Sequence, residues 1–66
     1  MVSDGLTGRQ REIVALVAEG LSDAEVAERL ALASGTVANH LSHIRRRLGL
    51  RNRVQLAVWA LKQGLA

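Results

Sequence analysis

The sequence predicts an all-α fold, a four-helix bundle with a central helix-turn-helix, on three observations. Apolar residues recur at helical spacing along most of the 66-residue chain. Helix start signals alternate with glycines at the expected helix ends. Alanine, valine and leucine dominate, which favours helices built with small contacts. At this length the chain makes one domain with a small core, since about 60% of its unfolded surface can be buried.

The first helix is predicted to begin at Thr7, because Thr7 with Gln10 three residues later forms a capping box. In a capping box each side chain satisfies an amide that the helix start leaves unpaired. Apolar residues then follow at helical spacing, namely Ile13, Leu16 and Val17. Gly20 is expected to end this helix in the left-handed conformation. Residues 1–5 show no pattern and are predicted to be a disordered start or a cloning scar, which leaves residues 6–66 as the domain.

The second helix is predicted to be short, about eight residues, and to open a helix-turn-helix. Ser22 and Glu25 form another capping box, over which Leu21 and Val26 can close as a hydrophobic staple. Residues 31–33 then turn the chain without the glycine often found in such turns. The third helix follows at once, with Ser34 predicted as its N-cap.

The third predicted helix, residues 34–48, carries two contrasting faces. Branched apolar residues at i, i+4, i+7 and i+11 form an inner stripe of Val37, Leu41, Ile44 and Leu48. The opposite face is small and polar at its start and basic at its end, with Gly35, Asn39, Ser42 and Arg46 outward and Ala38 and His43 on the flanks. Gly49 is the residue expected one step past the helix end. The inner stripe is expected to pack against a core. The outer face is expected to contact either a polyanion or only water.

The fourth predicted helix, residues 53–63, is stopped by Gly64 and is apolar on two sides. One strip consists of Val54, Ala57, Val58 and Leu61, and the other of Leu56, Trp59 and Ala60. A helix that is apolar on two sides usually packs against two things. One of them is the core, and the other must be a partner or an exposed patch.

Charge is distributed unevenly along the chain, although the net charge is only +3. All six acids lie in the first 28 residues, where two arginines leave a net charge of −4. From Arg29 onward, six arginines and one lysine stand without an acid, a net charge of +7. This half of the chain favours binding a polyanion. The alternative is a basic surface that only water covers.

Composition argues against several classes of function. The absence of cysteine removes thiolate metal sites and thiol nucleophiles, and it fits a cytoplasmic protein. Trp59 is the sole aromatic residue, so a stacking surface for single-stranded nucleic acid is not expected. His40 and His43 lie at i, i+3, but no further acid or cysteine follows Glu28, so no metal site is expected. We expect no cofactor, no enzymatic activity and no membrane span, since nucleophile partnerships, a glycine-rich phosphate loop and an apolar run of about 18 residues are all absent.

Several spaced blocks occur in order between residues 6 and 65. They are Leu6-Thr7-x-Arg9, Glu19-Gly20-Leu21-Ser22, Glu25-Val26-Ala27, Thr36-Val37-x-Asn39-His40-Leu41, Leu48-Gly49-Leu50-x-Asn52-Arg53 and Gly64-Leu65. With these blocks the chain resembles the LuxR-type DNA-binding domain, the output module of quorum-sensing regulators and of response regulators of the NarL/FixJ kind. The resemblance implies a third helix that reads the DNA major groove and a fourth helix that commonly forms a homodimer interface. It also implies an upstream sensory or receiver domain.

The resemblance assigns expected roles to individual residues. The implied base-reading positions are Ala38, Asn39 and Ser42, with Gly35 at the helix start. The implied backbone-phosphate positions are Thr36, His40, Arg45, Arg46 and Arg47, and His43 lies on the flank of the same face. The implied dimer strip is Val54, Val58 and Leu61, to which the periodicity adds Ala57. The expected partners are therefore double-stranded DNA and a second copy of the chain.

The chain departs from the family pattern at three places. Ala38 stands where lysine is usual, Asp23-Ala24 where Asn-Lys is often found, and Gly8 where proline is typical. Loss of a recognition lysine removes a contact of about 1–3 kcal/mol, although alanine can still contact a thymine methyl. Asp23 favours the helix dipole but would repel a close phosphate. DNA binding is therefore expected to depend on the arginine triplet, with a modest or unusual sequence preference.

Two questions stay open at this point. Arg51 and Arg53 either touch the DNA backbone or only keep the domain soluble. The rival interpretation of the whole chain is a small helical protein-interaction module that docks through the fourth helix, residues 53–63, with its basic surface facing an acidic partner.

Overall fold

A computed structural model describes residues 5–65 of the chain, and these residues form four α-helices and no β-strand. The helices are α1 (Gly8–Ala18), α2 (Asp23–Leu30), α3 (Ser34–Leu48) and α4 (Arg53–Lys62). The predicted all-α class and the helix-turn-helix order are confirmed. Apart from Gly5, the predicted disordered start lies outside the described residues. Within residues 5–65 no helix is long and apolar enough to cross a membrane.

The core is organised around α1, which packs against each of the other helices, while α2 also packs against α3. Every helix contributes to the buried cluster of Ile13, Val14, Leu16, Val17, Val26, Ala27, Val37, Leu41, Ile44, Leu56 and Ala60. The predicted inner stripe of α3 belongs to it, with Leu48 half-buried at its edge. Burial of this stripe fixes the rotation of α3, and its opposite face must therefore lie toward solvent.

Both predicted capping boxes are present. The Gln10 N–H donates to Thr7 Oγ1 at 3.1 Å, and the Thr7 N–H donates to Gln10 Oε1 at 3.0 Å. At the start of α2 the Ser22 N–H donates to Glu25 Oε1 at 2.9 Å, and the Glu25 N–H donates to Ser22 Oγ at 3.2 Å. The Ser22 N–H stabilises the ionised carboxylate and so holds the pKa of Glu25 below its ordinary value.

The helix ends are also close to the predictions. Gly20 follows α1 with φ +98°, and the Leu21 N–H donates to the Leu16 carbonyl at 3.2 Å, which closes the last turn. Gly49 ends α3 with φ +71°, a conformation that glycine adopts without strain. The fourth helix ends at Lys62, one residue before the predicted end.

The turn between α2 and α3 is made by an alanine in the left-handed conformation. Ala31 has φ 57° and ψ 44°, and it is the non-glycine residue with positive φ among those described. The Leu32 N–H donates to the Ala27 carbonyl at 2.8 Å and completes the end of α2. Because the Cβ crowds the following carbonyl in this conformation, alanine costs about 1–2 kcal/mol here.

The substitution Ala31→Gly is therefore expected to stabilise the domain by about 0.5–1 kcal/mol. Relief of the backbone strain outweighs the extra entropy that glycine gives the unfolded chain, about 0.4–1 kcal/mol. Equilibrium unfolding in urea measures the change. The control is Ala24→Gly on the exposed side of α2, where glycine should lower the stability by about 0.5–1 kcal/mol. Equal losses at both positions would contradict the expectation.

Candidate nucleic-acid interface

The helix α3 presents one continuous surface to solvent, opposite its buried stripe. Seven residues on this surface are exposed, namely Gly35, Thr36, Ala38, Asn39, His43, Arg46 and Arg47. Three more are half-buried, namely His40, Ser42 and Arg45. We call the surface made by these residues the α3 outer face. All the residues expected to contact DNA thus lie on one helix.

The start of α3 differs from the prediction. Its N-cap is Ala33, in an extended conformation with φ −74° and ψ 146°, and no side chain caps the helix. The prediction of Ser34 as N-cap is therefore wrong by one residue. After the left-handed turn at Ala31 the chain already enters the helix at Ser34, so its hydroxyl lies beyond the position from which it could reach the N2 and N3 amides. The first turn of α3 keeps amides without a side-chain acceptor.

The three arginines in the last turn of α3 point in different directions. Arg45 is half-buried, and its Nη1 lies 3.5 Å from the Arg51 carbonyl oxygen. The Arg47 guanidinium lies over Gly5, so closely that a side chain at position 5 would collide with it. Arg46 is exposed on the α3 outer face. The cluster also complements the helix dipole, because cations are favoured at a helix C-terminus.

Arg53 has a role that the sequence did not reveal. Its Nη1 donates to Asp23 Oδ1 at 2.5 Å, and its Nη2 donates to the Leu21 carbonyl at 2.5 Å. The Arg53 side chain, at the start of α4, thus contacts both the first residue of α2 and the backbone two residues before it. Two roles for Arg53 stayed open from the sequence, a contact with the DNA backbone and a solubilising surface charge, and an intramolecular ion pair was not among them. The pair spans 30 residues, so no local signal could have indicated it.

A small cleft of about 160 Å³ connects this ion pair to α3. It is lined by Asp23, Ala38, Leu41, Arg45, Arg53 and Leu56. Ala38 stands where the family usually has a lysine, and its short side chain leaves the cleft open. Asp23 therefore lies beside the α3 outer face and not on the far side of the domain.

The helix α4 has one buried and one exposed apolar side, as its two strips predict. Leu56 and Ala60 are buried in the core. The side chains of the other strip are uncovered, with Val54 72% exposed, Val58 44% and Leu61 58%. Ala57, which was predicted in the same strip, is half-buried. A shallow apolar groove lies beside the strip, lined by Gly49, Leu50, Val54, Gln55, Val58, Trp59 and Lys62.

No cluster suited to metal binding occurs among residues 5–65. Groups of three or more histidine, cysteine, aspartate or glutamate side chains that could hold an ion are absent there. His40 and His43 lie one turn apart on α3, half-buried and exposed respectively. The described part of the chain also leaves no buried side-chain nitrogen or oxygen without a hydrogen-bond partner. No polar or charged residue in this part of the chain is buried.

Comparison with known proteins agrees with the geometry. The family described as "Bacterial regulatory proteins, luxR family" matches residues 4–60. A solved structure entitled "Structure of Transcription factor, GerE" superposes with a TM-score of 0.83 at 34% identity, covering 97% of this chain and 94% of that one. The same order and packing of helices is thus present in a protein of related sequence.

Curated relatives match almost the whole chain but are much longer. A Mycobacterium bovis protein named as an HTH-type transcriptional regulator, Mb0914c, is 46% identical over 59 residues, which are 89% of this chain and 7% of that protein. The nitrate/nitrite response regulator protein NarL of Escherichia coli is 41% identical over 54 residues, 82% of this chain and 25% of NarL. The chain therefore spans a quarter or less of either relative. The resemblance found in the sequence is confirmed, and the chain belongs to the luxR family of bacterial regulatory proteins.

Proposed function

We propose that residues 6–66 form a domain that binds double-stranded DNA, with α3 in the major groove. One observation carries the proposal. Three residues of the inner stripe of α3, Val37, Leu41 and Ile44, are buried, and the outer face is polar at its start and basic at its end. The major groove of B-DNA, about 12 Å wide, admits an α-helix. Relatives named as transcriptional regulators support the same function.

The α3 outer face supplies both kinds of contact that such binding needs. Near the helix start, the Asn39 amide suits the edge of adenine, the Ala38 methyl suits a thymine methyl, and Ser42 can donate to either kind of base. Gly35 lets the backbone approach closely. Phosphates would be held by the remaining residues of that face, Thr36, His40, His43, Arg45, Arg46 and Arg47.

The uncapped start of α3 supports the same orientation. Amides in its first turn have no side-chain acceptor, because the N-cap is Ala33. A helix N-terminus with unpaired amides favours an anion, through hydrogen bonds and through the helix dipole. A phosphate on the DNA backbone would accept hydrogen bonds from these amides when the helix start enters the groove.

A fluorescence-anisotropy titration of a mixed-sequence duplex tests the proposal. We expect binding that weakens about a hundredfold between about 50 and 200 mM salt, because neutralising roughly four phosphates releases their counterions. A competitor of acidic polypeptide at matched charge is the control, and it should displace the duplex poorly. Absence of binding at the lower salt would contradict the proposal, as would equal competition by the acidic polypeptide, which the rival protein-interaction module requires.

We further infer that two copies associate through the exposed strip of α4, which is Val54, Ala57, Val58 and Leu61. Val54, Val58 and Leu61 are exposed, and Val54 and Val58 line a shallow apolar groove. Apolar patches rimmed by polar residues are typical of protein–protein contacts. A symmetric pair of domains would read two half-sites of a roughly palindromic sequence.

The substitution Val58→Glu is expected to prevent this association. A charge in the middle of the strip would be buried without a partner. On a duplex with two half-sites, affinity should fall about a hundredfold through lost avidity. On a duplex with one half-site it should stay unchanged. Gln63→Glu, an exposed change of the same charge at the end of α4, is the matched control, and equal effects of the two variants would contradict the assignment.

In its biological setting we propose that this domain is the output part of a longer bacterial transcriptional regulator. The length of the relatives supports an additional part in the full-length protein, and the response-regulator name of one of them supports a regulatory part, which we place upstream. Such a regulator works in the cytoplasm, where bacterial DNA lies, and it needs neither a cofactor nor an enzymatic step. Its activity would be set by how the upstream part presents α3 and α4.

A further inference from the structure

The ion pair between Asp23 and Arg53 joins two helices at the edge of the α3 outer face. The Arg53 guanidinium is shared between the Asp23 carboxylate and the Leu21 carbonyl, at 2.5 Å from each. This geometry uses two nitrogens of the same fork, so it fixes both the direction of the arginine and the position of the α2 start. The side chains remain 42% and 39% exposed, for Arg53 and Asp23 respectively.

The position of the pair relates it to DNA. In a helix-turn-helix the second helix lies in the groove and the first crosses the phosphate backbone. Here the first helix is α2, and Asp23 is its first residue. Asp23 also lines the cleft that it shares with Ala38 of the α3 outer face. A phosphate that approaches the start of α2 therefore meets this carboxylate.

An unpaired carboxylate at that place would oppose binding. Like charges that face each other across an interface are strongly unfavourable, and the Asp23 side chain is 39% exposed and so within reach of an approaching phosphate. Stability alone does not account for the pair, since half-exposed ion pairs add little to folding. Loss of the Arg53 charge would therefore lower the affinity for DNA more than the stability of the fold.

We propose that Arg53 is a positioning residue of the DNA interface, which cancels the charge of Asp23 and holds the start of α2 against α4. Arg53 stays on Asp23 when DNA binds and is not itself a phosphate ligand. The inference rests on the proposed DNA binding and deepens it. Part of the affinity for the duplex then depends on the intramolecular contact between Arg53 and Asp23.

The test compares Arg53→Gln, Asp23→Asn, the double variant and a control, Arg51→Gln. The control removes the same charge from an exposed position two residues away. Duplex affinity at about 100 mM salt and the melting temperature are measured for each. Arg53→Gln should bind roughly tenfold more weakly than Arg51→Gln, because it also uncovers Asp23. Asp23→Asn should bind at least as tightly as the wild type. In the double variant, which keeps the net charge of the wild type, it should restore the affinity to about that of the wild type.

The rescue separates this role from a merely structural one. If the pair only held the fold together, Asp23→Asn would weaken binding too, and the double variant would be no better than Arg53→Gln; either result overturns the inference. Should Arg53→Gln fail to fold, Arg53→Lys replaces it. Lysine keeps the charge beside Asp23 but loses the fork, so affinity should stay within about threefold of the wild type, and a tenfold loss would overturn the role of charge.

The same data distinguish the two proposals. A wild-type domain that fails to bind the duplex overturns both the proposed function and this inference. A wild-type domain that binds, with equal affinities for Arg53→Gln and Arg51→Gln, overturns only the inference.

Discussion

Replacement of Arg45, Arg46 and Arg47 together by alanine is expected to abolish measurable duplex binding at moderate salt. These three cations lie in the last turn of α3. Each phosphate contact that is lost lowers the slope of log affinity against log salt by about 0.9, so the slope should fall by about 1 to 3. The anisotropy titration at two salt concentrations measures both the affinity and the slope.

The matched control removes an equal charge from elsewhere on the surface. Arg9, Arg29 and Lys62 are exposed and lie outside α3. Their joint replacement by alanine should weaken binding only modestly and leave most of the salt slope, because the cations nearest the backbone remain. If both triple variants lose the same affinity, the basic charge acts through the net charge of the domain, and the assignment of the α3 outer face fails. Circular dichroism of both variants checks whether the helices remain.

The second large effect is expected in the core, for Ile44→Ala. Ile44 is fully buried and belongs to the inner stripe of α3. Truncation of such a residue costs about 2–5 kcal/mol through lost burial and the cavity that remains. A domain of this size has a total stability of about 3–10 kcal/mol, so much of it would be lost. The melting temperature should fall by about 10–30 °C, as measured by circular dichroism.

Val54→Ala is the control for this change. It removes part of a branched side chain from the exposed strip of α4, where Val54 is 72% exposed. At a protein concentration low enough to dissociate the proposed pair of domains, a surface change of this kind alters stability by about 0.5 kcal/mol or less. Melting temperatures within a few degrees of each other for the two variants would show that the α3 stripe does not hold the fold.

Local signals in the sequence were sufficient for most of the fold. The capping boxes of Thr7 and Ser22 involve residues three positions apart, so the chain itself carries the whole signal. The same holds for the α3 stripe, where Val37, Leu41 and Ile44 need only a helical period to lie together. Since that stripe also fixes which side of α3 faces solvent, the outward residues followed from it, whereas their expected roles as DNA contacts came from the resemblance to the family.

Features that depend on neighbours in space were not predictable in this way. Ser34 is a good N-cap by type, but the left-handed turn at Ala31 starts the helix one residue earlier. Nothing about alanine indicates positive φ, so the shift had no signal. The contact of Arg53 with Asp23 joins residues brought together only by the packing of the helices. Sequence reasoning identified the acid as an obstacle to phosphate but not the arginine that neutralises it.

The uncapped start of α3 implies a trade-off at a single position. A serine or aspartate in place of Ala33 would accept from the first-turn amides and stabilise the helix by about 1 kcal/mol. The same substitution would occupy the donors that the proposed binding mode offers to a phosphate, and aspartate would add a repelling charge. Selection for a more stable domain and selection for tighter DNA binding therefore favour different residues at position 33. Alanine at position 33 leaves the first-turn amides of α3 without a side-chain acceptor, and in the proposed binding mode a DNA phosphate would supply it.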